Sequence, residues 1–205
     1  MQRLIAGYKK FRAEVFPGCR HEFHLLAESQ APEYLFITCS DSRIVPNMIV
    51  DAGPGVMFLA RNAGNVVPIY ANDVDGTTAT IEYAVDLLKV RYAILCGHSD
   101  CGALKAALGG KDLSSMPKVK RWLRHVEAAF SHRQPLNPAD GNPELASLIR
   151  GNVVAQLHNL REVASVKRAM EAGTLEVRGW YYDIMTGTIE EYDEQQRKFL
   201  PLGSN

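Results

Sequence analysis

Two short stretches of this 205-residue chain carry residues suited to a metal ion: Cys-Ser-Asp-Ser-Arg at 39–43 and His-Ser-Asp-Cys-Gly at 98–102, each ending an apolar run. Cys39, His98 and Cys101 would offer two thiolates and one imidazole, a donor set whose softness suits Zn²⁺. Three protein ligands, rather than four, leave a coordination position for water, which separates catalytic from structural zinc. Asp41 and Arg43 follow Cys39 at i+2 and i+4, so an extended stretch there would send all three side chains to one side. By spacing alone the set competes with chance, because cysteine is among the most buried residue types and a cysteine at a strand end commonly packs. Cys96 is read in that way, Cys19 is assigned no function, and His21, His24, His125, His132 and His158 are read as surface histidines.

Elements that could position these residues alternate along the chain. Leu4, Tyr8, Phe11 and Val15 recur at helical spacing, as do Ile81, Ala84, Val85 and Leu88 after the turn-forming Asp75-Gly76. Tyr34–Thr38 and Val56–Ala60 are continuous apolar runs on either side of Gly53-Pro54-Gly55, as expected of strands buried on both faces. Ala93–Cys96 gives a third strand, Pro143 to Glu171 a long helical stretch, and Leu175 to Tyr182 a last strand. The pattern predicts an α/β fold, a central mostly parallel sheet flanked by helices, with both motifs at carboxyl strand ends where open α/β sheets place ligands. A helix beginning near Cys101-Gly102 would help keep the Cys101 sulfur ionised. Ser131 to Pro143 reads as a loop without a domain boundary, so residues 1–205 are expected to form a single domain.

Composition narrows the function. Lys plus Arg and Asp plus Glu both number 23, so no net field attracts nucleic acid or an anionic membrane. No apolar run approaches a membrane span, and Met1 to Phe16 lacks the apolar core of a signal peptide, which predicts a cytoplasmic protein. Four cysteines do not make a disulfide framework, and a reducing compartment would keep Cys39 and Cys101 as thiols. A zinc dehydrogenase would need Gly-x-Gly-x-x-Gly, and a zinc deaminase His-x-Glu followed by Pro-Cys-x-x-Cys; the chain contains no Gly-x-Gly-x-x-Gly and no Pro-Cys-x-x-Cys. A structural zinc site, with Asp41 permanently in the fourth position, is the alternative that survives.

Cys39-Ser-Asp-Ser-Arg43, Arg61-Asn-Ala-Gly-Asn65, Glu82-Tyr83 and Gly97-His-Ser-Asp-Cys-Gly102, in that order, resemble the β-class carbonic anhydrases, and Gly179-Trp180 matches near the end. The resemblance implies one Zn²⁺ per chain on Cys39, His98 and Cys101, a zinc-bound hydroxide, and reversible hydration of CO₂ to bicarbonate and a proton. It implies that Asp41, paired with Arg43, either orients the hydroxide or moves onto zinc as a fourth ligand in a closed state. Gln30, Phe58, Tyr83 and the Gly102 backbone match substrate-pocket positions. The helices of an N-terminal arm over 1–30 would reach across a neighbouring subunit, so the minimal assembly is a homodimer. Two thiolates donate more charge than imidazoles, so the water should be less acidic and activity should rise with pH. Some relatives bind bicarbonate at a non-catalytic site of Trp, Arg and Tyr that favours the closed state. Phe36, Arg61 and Tyr182 occupy those positions here. Phenylalanine has no N–H to donate, which predicts an open site at neutral pH.

Overall fold

A computed structural model describes residues 1–69 and 75–204. The chain begins with helices α1 (Gln2–Lys10) and α2 (Phe16–Glu28), joined through a π-helical turn at Phe11–Val15. Strand β1 (Tyr34–Cys39), the short helix α3 (Pro46–Ile49), β2 (Met57–Asn62), α4 (Gly76–Glu82), β3 (Tyr92–His98) and α5 (Gly102–Leu108) follow. Then come α6 (Pro117–Trp122), a 3₁₀ segment (Leu123–His132), α7 (Pro143–Glu162), α8 (Ala164–Glu171), β4 (Glu176–Tyr182), β5 (Ile189–Asp193) and β6 (Lys198–Pro201). Asp75 caps α4 as its sequence suggests, accepting from the Thr77 and Thr78 amides at 2.8 and 3.1 Å.

The six strands lie in the order β2-β1-β3-β4-β5-β6, the first four parallel and the last two antiparallel. From β1 the chain steps outward to β2 and then returns to the other side of β1 with β3, so a topological switch point lies between the carboxyl ends of β1 and β3. Cys39 ends one of those strands and His98 the other. One sheet face packs Leu35, Ile37, Ala93, Leu95 and Val177 under Ile81, Val85, Val153, Leu157, Leu160 and Val166. The opposite face carries a smaller cluster of Phe36, Ile94 and Cys96 with Trp180 and Tyr182. Helix α7 crosses β3 and β4 very closely: a Cβ on Gly97 would meet Val153 Cγ2 at 2.8 Å, and one on Gly179 would meet Leu157 Cδ1 at 2.4 Å. Those two strand positions must therefore lack a side chain.

Three expectations change. β1 is buried along its length, but β2 is the sheet's edge strand and leaves Leu59 and Arg61 exposed, so it is not covered on both faces. The helical stretch from Pro143 to Glu171 is broken at Val163, whose ψ of 124° is extended; Val163 packs on the first core cluster and α8 starts in a new direction. Asp41 and Arg43 lie on a turn and not on an extended stretch, since the Ile44 amide donates to the Asp41 carbonyl at 3.1 Å.

A buried ion cluster ties the loop at 133–142 and strand β5 to α7. Arg150, 7% exposed at its side chain, holds Asp140 at 2.7 and 3.2 Å and Glu190 at 2.8 Å, with its guanidinium 4.0 Å from the Tyr181 ring centre. Arg150→Ala strands two carboxylates in a poorly solvated place, which costs about 3–5 kcal/mol. At roughly 2–4 °C per kcal/mol for a chain of this size, the midpoint of thermal unfolding should fall by about 10 °C. A midpoint within about 2 °C of the parent's would show that the cluster contributes little.

Candidate metal centre

The strand ends bring Cys39, His98 and Cys101 together, with their ligand atoms all within 4.8 Å of one another. All three side chains are buried, His98 and Cys101 completely. The two sulfurs lie 3.9 Å apart, close to the separation of about 3.8 Å that tetrahedral bonds of about 2.3 Å to one zinc would give. The His98 Nδ1 contacts the Ser99 carbonyl at 2.9 Å, which fixes Nδ1 as the protonated nitrogen and leaves Nε2 with its lone pair. Nε2 is fully buried and has no hydrogen-bond partner among the described residues. Most buried polar atoms of folded proteins are paired, so a lone imidazole nitrogen facing two sulfurs fits a metal ion.

Electrostatics point the same way. Cys39 is held well below the usual thiol range, chiefly by its hydrogen bond with Cys101, with further help from the Gly64 amide at 3.4 Å. Cys101 is pushed up, because its neighbour already carries the charge and because it is buried. The amides of Ala103 and Leu104 do favour its thiolate, as a helix N-terminus should, but the adjacent sulfur outweighs them. The pair by itself thus holds about one negative charge, and a divalent cation is what would let both sulfurs ionise.

Asp41 borders the metal position, with Oδ2 4.0 Å from His98 Nε2. Arg43 donates to it through Nε at 2.9 Å and Nη2 at 2.7 Å, and the Arg43 amide adds a bond at 3.0 Å. These bonds hold the Asp41 carboxyl far below the usual carboxylate range, so it is an anion at any physiological pH.

The other residues singled out by sequence are more scattered. Gln30 is exposed after the end of α2. Phe58 and Tyr83 stack at 5.7 Å, with Tyr83 half-exposed and Phe58 packed on the first core cluster. Gly102 is the exposed first residue of α5. Phe36 is buried on the second sheet face, which Tyr182 also lines. Arg61 makes no ion pair among the described residues; it donates to the carbonyls of Cys39 at 3.1 Å and Asp41 at 2.8 Å and so braces the metal loop. Cys96 is a packed thiol, pushed up to about 12 by burial.

Sequence reasoning missed several participants. Ser99 supplies the carbonyl that orients His98, and its hydroxyl accepts from the Ile184 amide at 2.9 Å. Gly64 donates to Cys39, and Asp100 contacts Arg43. Trp180 meets Phe36 edge-on at 6.0 Å, and its buried indole N–H has no partner among the described residues. An indole donor is therefore present on the face where position 36 lacks one. His132 and His158, read separately as surface residues, meet edge-on at 5.0 Å.

A family model described as carbonic anhydrase matches residues 34–189. A carbonic anhydrase of Pseudomonas aeruginosa is 42% identical over 205 residues, covering 100% of this chain and 93% of that one. Carbonic anhydrase 1 of Escherichia coli O157:H7 is also 42% identical over 205 residues, covering 100% and 94%. The solved β-carbonic anhydrase CcaA superposes with a TM-score of 0.91 at 37% identity, covering 100% of this chain and 93% of that one. The chain belongs to the β-class carbonic anhydrases. A tetrameric β-carbonic anhydrase from Sordaria macrospora is a further neighbour, with a TM-score of 0.74 at 35% identity over 93% of this chain and 92% of its own. Family membership makes this chain a carbonic anhydrase, and no helix among its described residues is long and apolar enough to cross a membrane.

Proposed function

We propose that Cys39, His98 and Cys101 hold one Zn²⁺ per chain and that the chain uses it for reversible hydration of CO₂ to bicarbonate and a proton. The observation that carries this is the buried, unpartnered Nε2 of His98 facing two sulfurs 3.9 Å apart. Zn²⁺ bound there would lower the pKa of a water from about 16 towards neutrality and so supply hydroxide at physiological pH.

The chain's own residues prepare that hydroxide. Asp41 Oδ1 accepts two hydrogen bonds from Arg43, whereas Oδ2 accepts one. Oδ2 thus keeps acceptor capacity on the side of the metal position, where it would accept a hydrogen bond from the hydroxyl and so orient it towards the carbon of CO₂. Arg43 keeps Asp41 ionised for that task and holds it in place. With its carboxylate bound to Arg43, Asp41 is not the fourth ligand, which supports the open site and disfavours a purely structural metal. The non-catalytic anion site of Phe36, Arg61 and Tyr182 draws less support, because Arg61 is engaged by backbone carbonyls. Gln30, Phe58, Tyr83 and the Gly102 backbone are assigned to the CO₂ pocket on the family pattern.

Because both sulfurs share their charge with the metal, kcat/KM for CO₂ hydration should climb from pH 7 to pH 9. Asp41 contributes no part of that slope, since it is ionised throughout. Stopped-flow measurement of the purified protein checks this; hydration at the uncatalysed rate across the range would identify a structural metal site.

The assembly we propose is a homodimer at least. Helices α1 and α2 and the π-helical turn between them bury no residue, and they expose Leu4, Ile5, Tyr8, Val15 and Leu25. An apolar stripe of that length on an arm needs a partner, and a second copy supplies it. Light scattering should give at least twice the 22.7 kDa chain mass, falling towards one chain when residues 1–28 are removed. A monomeric full-length protein at micromolar concentration would contradict the arm's assignment.

A further inference from the structure

Arg43 is gripped on both edges. Towards the metal loop its Nε and Nη2 donate to Asp41; on the far side Nη1 donates to the Asp100 carboxylate at 3.1 Å and Nη2 to the Asp100 carbonyl at 3.0 Å. Asp100 is held in turn, since Lys105 Nζ donates to its Oδ1 at 2.9 Å. Its φ of 54° is left-handed, an uncommon conformation for a residue other than glycine. The turn between β3 and α5 therefore spends backbone strain at the residue whose carbonyl and carboxylate both meet Arg43.

From this geometry we infer that Asp100 is a positioning residue: with Lys105 it clamps the far edge of Arg43, and thereby keeps the Asp41 carboxylate on the guanidinium and off the metal. The inference rests on the zinc reading of Cys39, His98 and Cys101. Asp41 Oδ2 is 4.0 Å from His98 Nε2, so a small rotation suffices to carry it towards an ion held there. That rotation must break the bonds to Arg43 or drag the guanidinium along. With its far edge released, Arg43, itself 44% exposed, is free to follow Asp41 or to turn into solvent. The anchoring pairs are more than half exposed at Asp100 and Lys105, so the bias they exert is modest, up to about fivefold in the balance between open and closed sites.

Asp100→Asn tests the clamp with little change to the fold, because asparagine also tolerates a left-handed backbone while losing the charge. Asp100→Gly meets the same backbone requirement and is the second variant; Lys105→Met removes the outer support alone. The readouts are the rate at which a chelator strips zinc from the loaded protein, and turnover at neutral pH. If Asp100 holds the site open, its loss lets Asp41 close on zinc, so zinc leaves more slowly and turnover falls in step, by about twofold for a parent site closed about a quarter of the time. Adding Asp41→Asn to Asp100→Asn should abolish the slower release. A role confined to the turn predicts the reverse, a loosened site that loses zinc faster. Zinc release from both Asp100 variants at or above the parent's rate would overturn the clamp and leave the zinc assignment intact. A parent protein that binds no zinc would overturn the assignment itself.

Discussion

Cys39→Ser, His98→Ala and Cys101→Ser are each expected to empty the metal site and to lower CO₂ hydration by at least about 10³-fold. Two ligands remain in every case, and neither two sulfurs nor one sulfur and one imidazole hold zinc against solvent at ordinary concentrations. In the two cysteine variants the buried His98 Nε2 has no other partner among the described residues. Zinc content by atomic absorption should fall from about one per chain to below a tenth, with the far-ultraviolet circular dichroism of the parent retained. Cys96→Ser is the control. That thiol lies on the other sheet face, donates to the Gly97 carbonyl at 3.4 Å and is kept protonated by burial. Its replacement should leave zinc content unchanged. Full zinc occupancy in the three ligand variants would contradict the assignment.

Asp41→Ala should give the opposite pattern, a full complement of zinc with turnover lowered by about 10²- to 10³-fold. The carboxylate lies beside the metal position and not among the three ligands, so its loss removes orientation and leaves the site itself intact. Its depressed pKa fixes the pH behaviour. A carboxylate whose folded pKa lies below its unfolded value of about 4 contributes fully above that value and loses its contribution only as pH falls through the folded pKa. Between pH 7 and 9 the ratio of parent to variant activity should therefore be flat. Normal turnover with metal retained would remove Asp41 from the mechanism.

The core strands and the grouping of the three candidate metal ligands were legible because the strand signals are local and the family resemblance picks out the residues at their ends. β1 and β3 are unbroken apolar runs, and Cys39 and His98 stand at their ends. The hairpin of β5 and β6 was not, since Ile-Glu-Glu-Tyr-Asp and Lys-Phe-Leu-Pro are half-exposed strands at the sheet's edge with little apolar signal. Nor was the 3₁₀ segment at Leu123–His132, where Leu123, Val126 and Ala129 recur every three residues among polar neighbours. Asp41 and Arg43 do meet, but through a turn and not along a strand, and residue alternation gives no hint of that. Asp100 sat inside a motif already singled out; only the left-handed turn that points its carboxylate and carbonyl at Arg43 gives it a role. The orphaned indole of Trp180 beside Phe36 depends on pairing between β1, β3 and β4, which sequence spacing does not contain.

The central claim, zinc-dependent hydration of CO₂ by this chain, is tested most directly by stripping the metal with a chelator and following hydration by stopped flow as zinc is returned. The account predicts negligible activity in the stripped protein and a linear recovery that levels off at one zinc per chain. Full activity without metal, or a protein that takes up one zinc per chain and still hydrates CO₂ no faster than buffer, would contradict it.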